Sequence, residues 1–185
     1  MGNITLITGG ARSGKSTYAE KMASGISEKV LYIATAVAFD LEMEERIAVH
    51  RKSRPQEWNT YEGYKDIDKV IEDAACYDVI LLDCVTVMLT NLLWEFPGMS
   101  FEIPSREVLA EAEEYVGHEF KKLLGAAGKY HGNLIMVTNE LGSGLVPESP
   151  IARSFRDIAG RINQLIAAHS QEVYLTVCGI PIKIK

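Results

Sequence analysis

Residues Gly9 to Ser16 read GGARSGKS, which satisfies the pattern G-x-x-x-x-G-K-[ST]. The β-branched run Ile4 to Thr8 precedes them, and the residues after Lys15 carry a helical pattern to about Ser27. A strand, a glycine loop and a helix in that order leave little choice of architecture. The glycines permit a backbone whose N–H groups turn inward, and the first turn of the helix adds positive potential, so such a loop holds phosphate oxygens by dipoles. Lys15 is expected to reach the β and γ phosphates of a nucleoside triphosphate and the Ser16 hydroxyl to coordinate Mg²⁺, with Gly9, Gly10, Ala11, Arg12, Ser13 and Gly14 supplying the cradle.

The rest of the chain alternates strand and helix. Val30 to Thr35 (VLYIAT) reads as a second buried strand, followed by a helix over about 41–52 that Pro55 ends. A short irregular piece with Trp58 and Glu62 leads into a helix over about 64–75. Val79 to Asp83 (VILLD) is a third strand, apolar throughout as a strand covered on both faces must be. Helix is expected from Val85 to Trp94. The segment EFPGMSFEIPS, with two prolines and a glycine, reads as a loop and a mobile insertion. An amphipathic helix over about 106–127, an apolar strand from Asn133 to Thr138, the loop ELGSGLVPESP and a helix over about 151–168 follow. Glu172 to Val177 and Pro181 to Lys185 close the sheet as a hairpin. The expected class is α/β, a P-loop NTPase of RecA-like type whose central sheet is mostly parallel and flanked by helices, with a C-terminal antiparallel hairpin. A length of 185 residues suits a single domain spanning 1–185.

Charge and hydropathy narrow the partners. The formal net charge is −6, and no run of Lys and Arg is long enough to follow a nucleic-acid backbone. The most apolar stretch, Val79 to Trp94, is broken by Asp83, Thr86, Thr90 and Asn91, short of the roughly 20 apolar residues of a membrane span. The start MGNITLITGG has no basic region ahead of its apolar run, so the expected location is the cytoplasm. Cys76, Cys84 and Cys178 form no CxxC pair and are expected to pack as small hydrophobes. His118, His131 and His169 lack ligand spacing, so no zinc site is expected.

Two further groups bear on chemistry. Asp83 closes an apolar strand, where a phosphate loop needs an acid to hold Mg²⁺ or its water shell; by itself an Asp there is equally a turn former. Thr138-Asn139-Glu140 ends another apolar strand, as a contact for the γ-phosphate or substrate or as an ordinary cap. Between the second strand and Trp58, Glu42, Arg46, His50 and Arg54 recur every four residues and form one stripe of a helix. A solvated face has the same pattern. The crowding of Arg46, Arg51, Lys52 and Arg54 around one histidine also depresses its pKa, which suits a neutral nucleophile attacking phosphorus.

Nearly end to end, the chain resembles the bifunctional adenosylcobinamide kinase and adenosylcobinamide-phosphate guanylyltransferase family of cobalamin biosynthesis. The resemblance rests on GGARSGKS, on YIATA at Tyr32 to Ala36, on EM-x-x-RI-x-x-H at Glu42 to His50 and on RP-x-x-W at Arg54 to Trp58. It continues through LLDC-x-T at Leu81 to Thr86, TNLL at Thr90 to Leu93, VTNE-x-G-x-G-x-VPE at Val137 to Glu148 and AR-x-FRDIAGR-x-N at Ala152 to Asn163. It implies two reactions, phosphorylation of adenosylcobinamide by ATP or GTP, then transfer of GMP from GTP to adenosylcobinamide phosphate through a guanylyl-histidine. By motif position that histidine is His50, preceded by Val49 where some relatives carry a second histidine. The resemblance also implies nucleotide contacts from Ala34, Thr35, Ala36, Arg51, Lys52, Ser53, Arg54, Glu62 and Asp83, and a homo-oligomer, a homotrimer in this family. Residues 95–105 match it poorly.

Two alternatives compete. One is a monofunctional P-loop kinase of another small molecule, with His50 a bystander. The other is a nucleotide-dependent switch; the guanine-reading sequence N-K-x-D is absent, its nearest match being Thr138-Asn139-Glu140.

Overall fold

In the computed structural model, which describes residues 2–38, 41, 44, 45, 47, 48, 51, 55–99 and 104–185, β1 (Asn3–Gly9) lies within the sheet, buried along most of its length. Its neighbours, β5 (Asn133–Asn139) and β6 (Glu172–Val177), both run parallel to it. Beyond β5 come β4 (Val79–Asp83), β2 (Val30–Ala34) and β3 (Asn59–Glu62), again parallel. Beyond β6, β7 (Ile180–Lys183) runs antiparallel and completes a seven-stranded sheet of order β3-β2-β4-β5-β1-β6-β7. The mostly parallel sheet and its closing hairpin match the expectation.

Alternation along the strands sends successive side chains to opposite faces. Ile4, Leu6, Leu31, Ile33, Ile80, Leu82, Leu134 and Met136 face α2 (Ile67–Asp73), α3 (Val85–Glu95), α4 (Arg106–Lys129) and α5 (Pro150–His169). Ile7, Val30, Tyr32, Val79, Leu81, Ile135 and Val137 face Ala19 and Ala23 of α1 (Lys15–Ile26), together with Trp58. Both faces are therefore covered. Burial removes apolar surface worth roughly 25 cal/mol per Å² from water, which is why the inner strands are apolar on both sides.

Some boundaries differ from the expectation. The piece around Trp58 and Glu62 is not irregular, because Asn59–Glu62 pairs with β2 as an edge strand. Its residues NTYE lack alternating apolar character because most of them are exposed at the edge. The helix expected over 64–75 shortens to Ile67–Asp73, entered through Asp66 in a left-handed conformation with φ 50°. Between β2 and β3, Leu41, Glu44, Glu45, Ile47, Ala48 and Arg51 are helical. The expected stripe members Glu42, Arg46, His50 and Arg54 lie outside the described residues, as does part of the loop expected over 95–105. Cys76 and Cys178 are exposed rather than packed, because both sit in turns off the sheet; only Cys84 is partly buried.

Candidate active site

Parallel strands align their carboxyl ends, and the register shows which residues meet there. Glu62 pairs with Ala34, Ala34 with Asp83, Asp83 with Val137, and Asn139 with Gly9. The row from Glu62 through Ala34, Asp83 and Val137 ends at Ile7, two residues before Gly9, and strand spacing of about 4.8 Å puts Asp83 about 10 Å and Glu62 about 19 Å from Ile7 across it. Open parallel sheets bind ligands beyond this edge.

The loop from Gly9 is held open from both sides. A Cβ on Gly9 would stand 2.5 Å from the carbonyl oxygen of Thr176 and 2.7 Å from the Ser13 hydroxyl, so no side chain fits. Gly14 has φ 92°, a left-handed value that favours glycine, and its Cβ would come 3.0 Å from Cα of Gly179. The N–H of Gly179, at the β6–β7 turn, donates to the Ser13 carbonyl at 2.8 Å, and Tyr18 packs edge-on against Tyr174 at 5.3 Å. The C-terminal hairpin thus braces the loop and α1.

Above the loop lies a cleft of about 530 Å³ lined by Ala11, Arg12, Lys15, Ser16, Tyr32, Ala34, Ala36, Ile47, Asp83, Cys84, Val87, Val137 and Asn139. Lys15 is buried, and its Nζ donates to the Gly10 carbonyl at 2.7 Å. Burial holds its pKa below the ordinary lysine value, against the opposing pull of Cys84 and Asp83. A buried ammonium that makes one neutral hydrogen bond is poised for an anion. Asp83 is fixed by the Tyr32 hydroxyl, which donates to Oδ2 at 2.7 Å. Burial, reinforced by the Asp83 charge, pushes the Cys84 thiol up to about 12, so it is a neutral lining group and no nucleophile.

Thr35 is fully buried beneath this floor. Its hydroxyl donates to the Cys84 carbonyl at 2.8 Å and accepts from the Cys84 N–H at 2.9 Å, while its own carbonyl accepts from Asn91 Nδ2 at 2.8 Å. Of the Ala34-Thr35-Ala36 run, then, the alanines line the cleft and Thr35 shapes it from behind. Arg51 and Glu62 meet elsewhere, in a smaller cavity of about 220 Å³ beside Trp58 and Thr60. There Arg51 Nε and Nη2 fork the Glu62 carboxylate at 2.8 and 2.6 Å. Both side chains are about half exposed, so the pair contributes little to stability. His50, Lys52, Ser53 and Arg54 lie outside the described residues.

The end of β5 divides between the two roles open to it. Glu140 caps its own loop, accepting from the N–H groups of Gly142 at 2.7 Å and Ser143 at 3.0 Å. Burial alone would raise its carboxyl; those donors and the Arg156 charge outweigh it and hold the group below the usual range. Asn139 instead lines the cleft, with its backbone clamped: its N–H donates to the Thr86 hydroxyl at 2.8 Å and its carbonyl accepts from Asn163 Nδ2 at 3.1 Å. Sequence reasoning singled out neither Tyr32 nor Asn163. A tyrosine inside an otherwise aliphatic strand, one strand from the key acid, was the available signal for Tyr32.

The fold and cleft define an α/β protein with an anion-receptive glycine loop at the carboxyl edge of a parallel sheet. The chain belongs to the cobinamide kinase / cobinamide phosphate guanyltransferase family, whose model matches residues 5–184. It is similar to the bifunctional adenosylcobalamin biosynthesis protein CobU of Escherichia coli K12, with 46% identity over 183 residues, covering 98% of this chain and 99% of the relative. The protein of the same name in Salmonella typhimurium LT2 also shares 46% identity over 183 residues, with 98% and 99% covered. The bifunctional adenosylcobalamin biosynthesis protein CobP of Pseudomonas aeruginosa PAO1 shares 39% identity over 181 residues, with 97% and 96% covered.

Proposed function

We propose that this protein phosphorylates adenosylcobinamide with ATP or GTP and then transfers GMP from GTP to the resulting phosphate, giving adenosylcobinamide-GDP. The observation that carries the reading is the family match over almost the whole chain, joined to a cleft in which Lys15, Ser16 and Asp83 converge.

The loop, of RecA-like P-loop type in this reading, receives the triphosphate. Lys15 neutralises the β and γ phosphates, leaving Gly10 for a stronger, charge-assisted partner. In the first reaction the acceptor hydroxyl oxygen forms a bond to the γ-phosphorus, the bond from that phosphorus to the β-bridging oxygen breaks, and a nucleoside diphosphate and a proton leave. In the second, a ring nitrogen of His50 attacks the α-phosphorus and expels pyrophosphate; an oxygen of the acceptor phosphate then displaces the histidine. The covalent step means that two highly charged substrates need not meet directly.

Ser16 and Asp83 suit a hard cation, since both offer oxygen to the same cleft, where the Tyr32 hydroxyl orients Asp83 through Oδ2. Mg²⁺ held there would supply charge neutralisation on the phosphates. Glu62 has the chemistry to accept from the N1–H and N2–H of guanine, once released from Arg51. Arg51, Lys52, Ser53 and Arg54 would contact the nucleotide alongside His50, and Ala34 to Ala36 would wall it.

We infer a homo-oligomer, a trimer by family resemblance. Support comes from exposed Val177, Ile180, Ile182 and Ile184 on the hairpin, an apolar surface of the sort that marks interfaces. No helix among the described residues is long and apolar enough to cross a membrane, and the cytoplasm remains the proposed location. The direct test is mass spectrometry of adenosylcobinamide incubated with the protein, Mg²⁺ and GTP. Sequential appearance of the phosphate and the GDP-linked product supports both activities; arrest at the phosphate supports a monofunctional kinase.

A further inference from the structure

The block FRDIAGR, Phe155 to Arg161, lies on α5, and the reading above gives its side chains no role. Arg156 is the unusual member. Its Nη1 is buried and has no hydrogen-bond partner, and no ion pair to it is found among the described residues. The acid that feels its charge is Glu140, yet the two oxygens of Glu140 accept from Gly142 and Ser143. Arg161, five residues on in the same helix, forks Glu113 in the ordinary way.

The fold sets where Arg156 stands. Asn163 ties α5 to the end of β5, accepting from the Thr138 hydroxyl at 2.8 Å and donating to the Asn139 carbonyl at 3.1 Å. Arg156 is seven residues earlier, two turns along the same face and about 10 Å nearer the N-terminus of α5. Because α5 returns the chain to the start of a parallel strand, its N-terminal half lies on the side of the carboxyl edge. Glu140, which senses Arg156, donates its N–H to the Gly9 carbonyl at 2.9 Å, so this arginine belongs to the neighbourhood of the phosphate loop.

A buried guanidinium N–H without a partner costs stability, and its natural complement is a planar or tetrahedral oxyanion held by two parallel hydrogen bonds. We propose that Arg156 binds a terminal phosphate oxyanion during transfer, carried either by the acceptor or by the nucleoside triphosphate. This rests on the reading of the preceding subsection for the identity of the acceptor.

The test uses the full chain with R156M and R156K, which keep the buried stem. Three quantities are measured: the Tm, the KM for adenosylcobinamide phosphate in GMP transfer, and the Kd for GTP. R156M is expected to have a Tm equal to or above that of the wild type, because a buried N–H without a partner has been removed. The KM for the phosphorylated acceptor is expected to rise about tenfold or more, with R156K recovering part of the loss because a point charge lacks the fork. A rise of about that size in the GTP Kd alone assigns the oxyanion to the nucleotide. Unchanged KM and Kd in both variants overturn the proposal, whatever happens to the Tm. If R156M fails to accumulate as folded protein, R156K alone decides by the same two constants. Failure of the wild type to transfer GMP counts against the acceptor reading, and the GTP Kd then decides for Arg156.

Discussion

The hydroxyl of Tyr32, inside β2, donates a 2.7 Å hydrogen bond to Oδ2 of Asp83 at the end of the neighbouring strand β4. One carboxylate oxygen is thereby fixed in a residue that lines the cleft. Tyr32 is buried, and its ring lies 6.4 Å from that of Trp58, packing that phenylalanine would keep. Y32F is therefore expected to fold normally, to lose about tenfold in kcat and to need more Mg²⁺ for half-maximal rate, since a charge-assisted hydrogen bond contributes about 1.5–3 kcal/mol. D83N is expected to fold and to lose Mg²⁺-dependent turnover. Rate measured against Mg²⁺ concentration checks both; an unchanged metal dependence in D83N returns Asp83 to a turn residue.

Lys15 couples function to stability. Its folded-state pKa is held below the ordinary lysine value, with burial as the largest cause. Between the folded and unfolded pKa values the unfolded chain carries the extra proton, so this residue makes stability rise with pH through that window, and its penalty is fully present below the folded pKa. K15M is expected to flatten this dependence and to raise the Tm at neutral pH while abolishing triphosphate binding and phosphorylation. Thermal melts of both proteins from about pH 7 to about pH 10.4, the ordinary lysine value, test the first part and GTP titration the second.

The hairpin brace is tested at Gly14. A Cβ there meets Cα of Gly179 at 3.0 Å in a backbone of φ 92°. G14A is expected to cost about 1–3 kcal/mol of stability and to weaken GTP binding, because the loop and the hairpin turn must part. Normal binding by G14A would show that the loop tolerates the displacement.

Cysteine reactivity reports the cleft environment. At pH 8.5, a value on the order of the ordinary thiol pKa, Cys76 and Cys178 are expected to alkylate readily because both are exposed. Cys84, pushed up to about 12, is expected to resist until the protein unfolds. Peptide mapping after timed iodoacetamide treatment distinguishes the three.

Much of this organisation was legible in the residues. GGARSGKS fixed the loop because glycine at a left-handed position leaves few alternatives, and VILLD announced a strand buried on both faces. Strand β3 was hidden, since an exposed edge strand needs no apolar alternation. The brace on Gly14 was also hidden, because Gly179 is 165 residues away in sequence (179 − 14) and only the sheet order brings them together. Thr35, expected as a nucleotide contact, lies beneath the cleft, while Tyr32, given no role from the residues, lines it: which side of a strand faces the cleft follows from register, which no short motif carries.

The central claim is covalent guanylylation of His50, and one labelling experiment addresses it. Wild-type protein incubated with Mg²⁺ and GTP labelled at the α-phosphorus is expected to retain label that survives mild base and is lost in acid, as a phosphoramidate does. H50N, which keeps polarity and approximate size without a nucleophilic nitrogen, is expected to take up no label and to form no GDP-linked product, while retaining phosphorylation of adenosylcobinamide at Lys15. Label on H50N, or GMP transfer by it at the normal rate, would contradict the mechanism and leave the histidine as part of a solvated helix face.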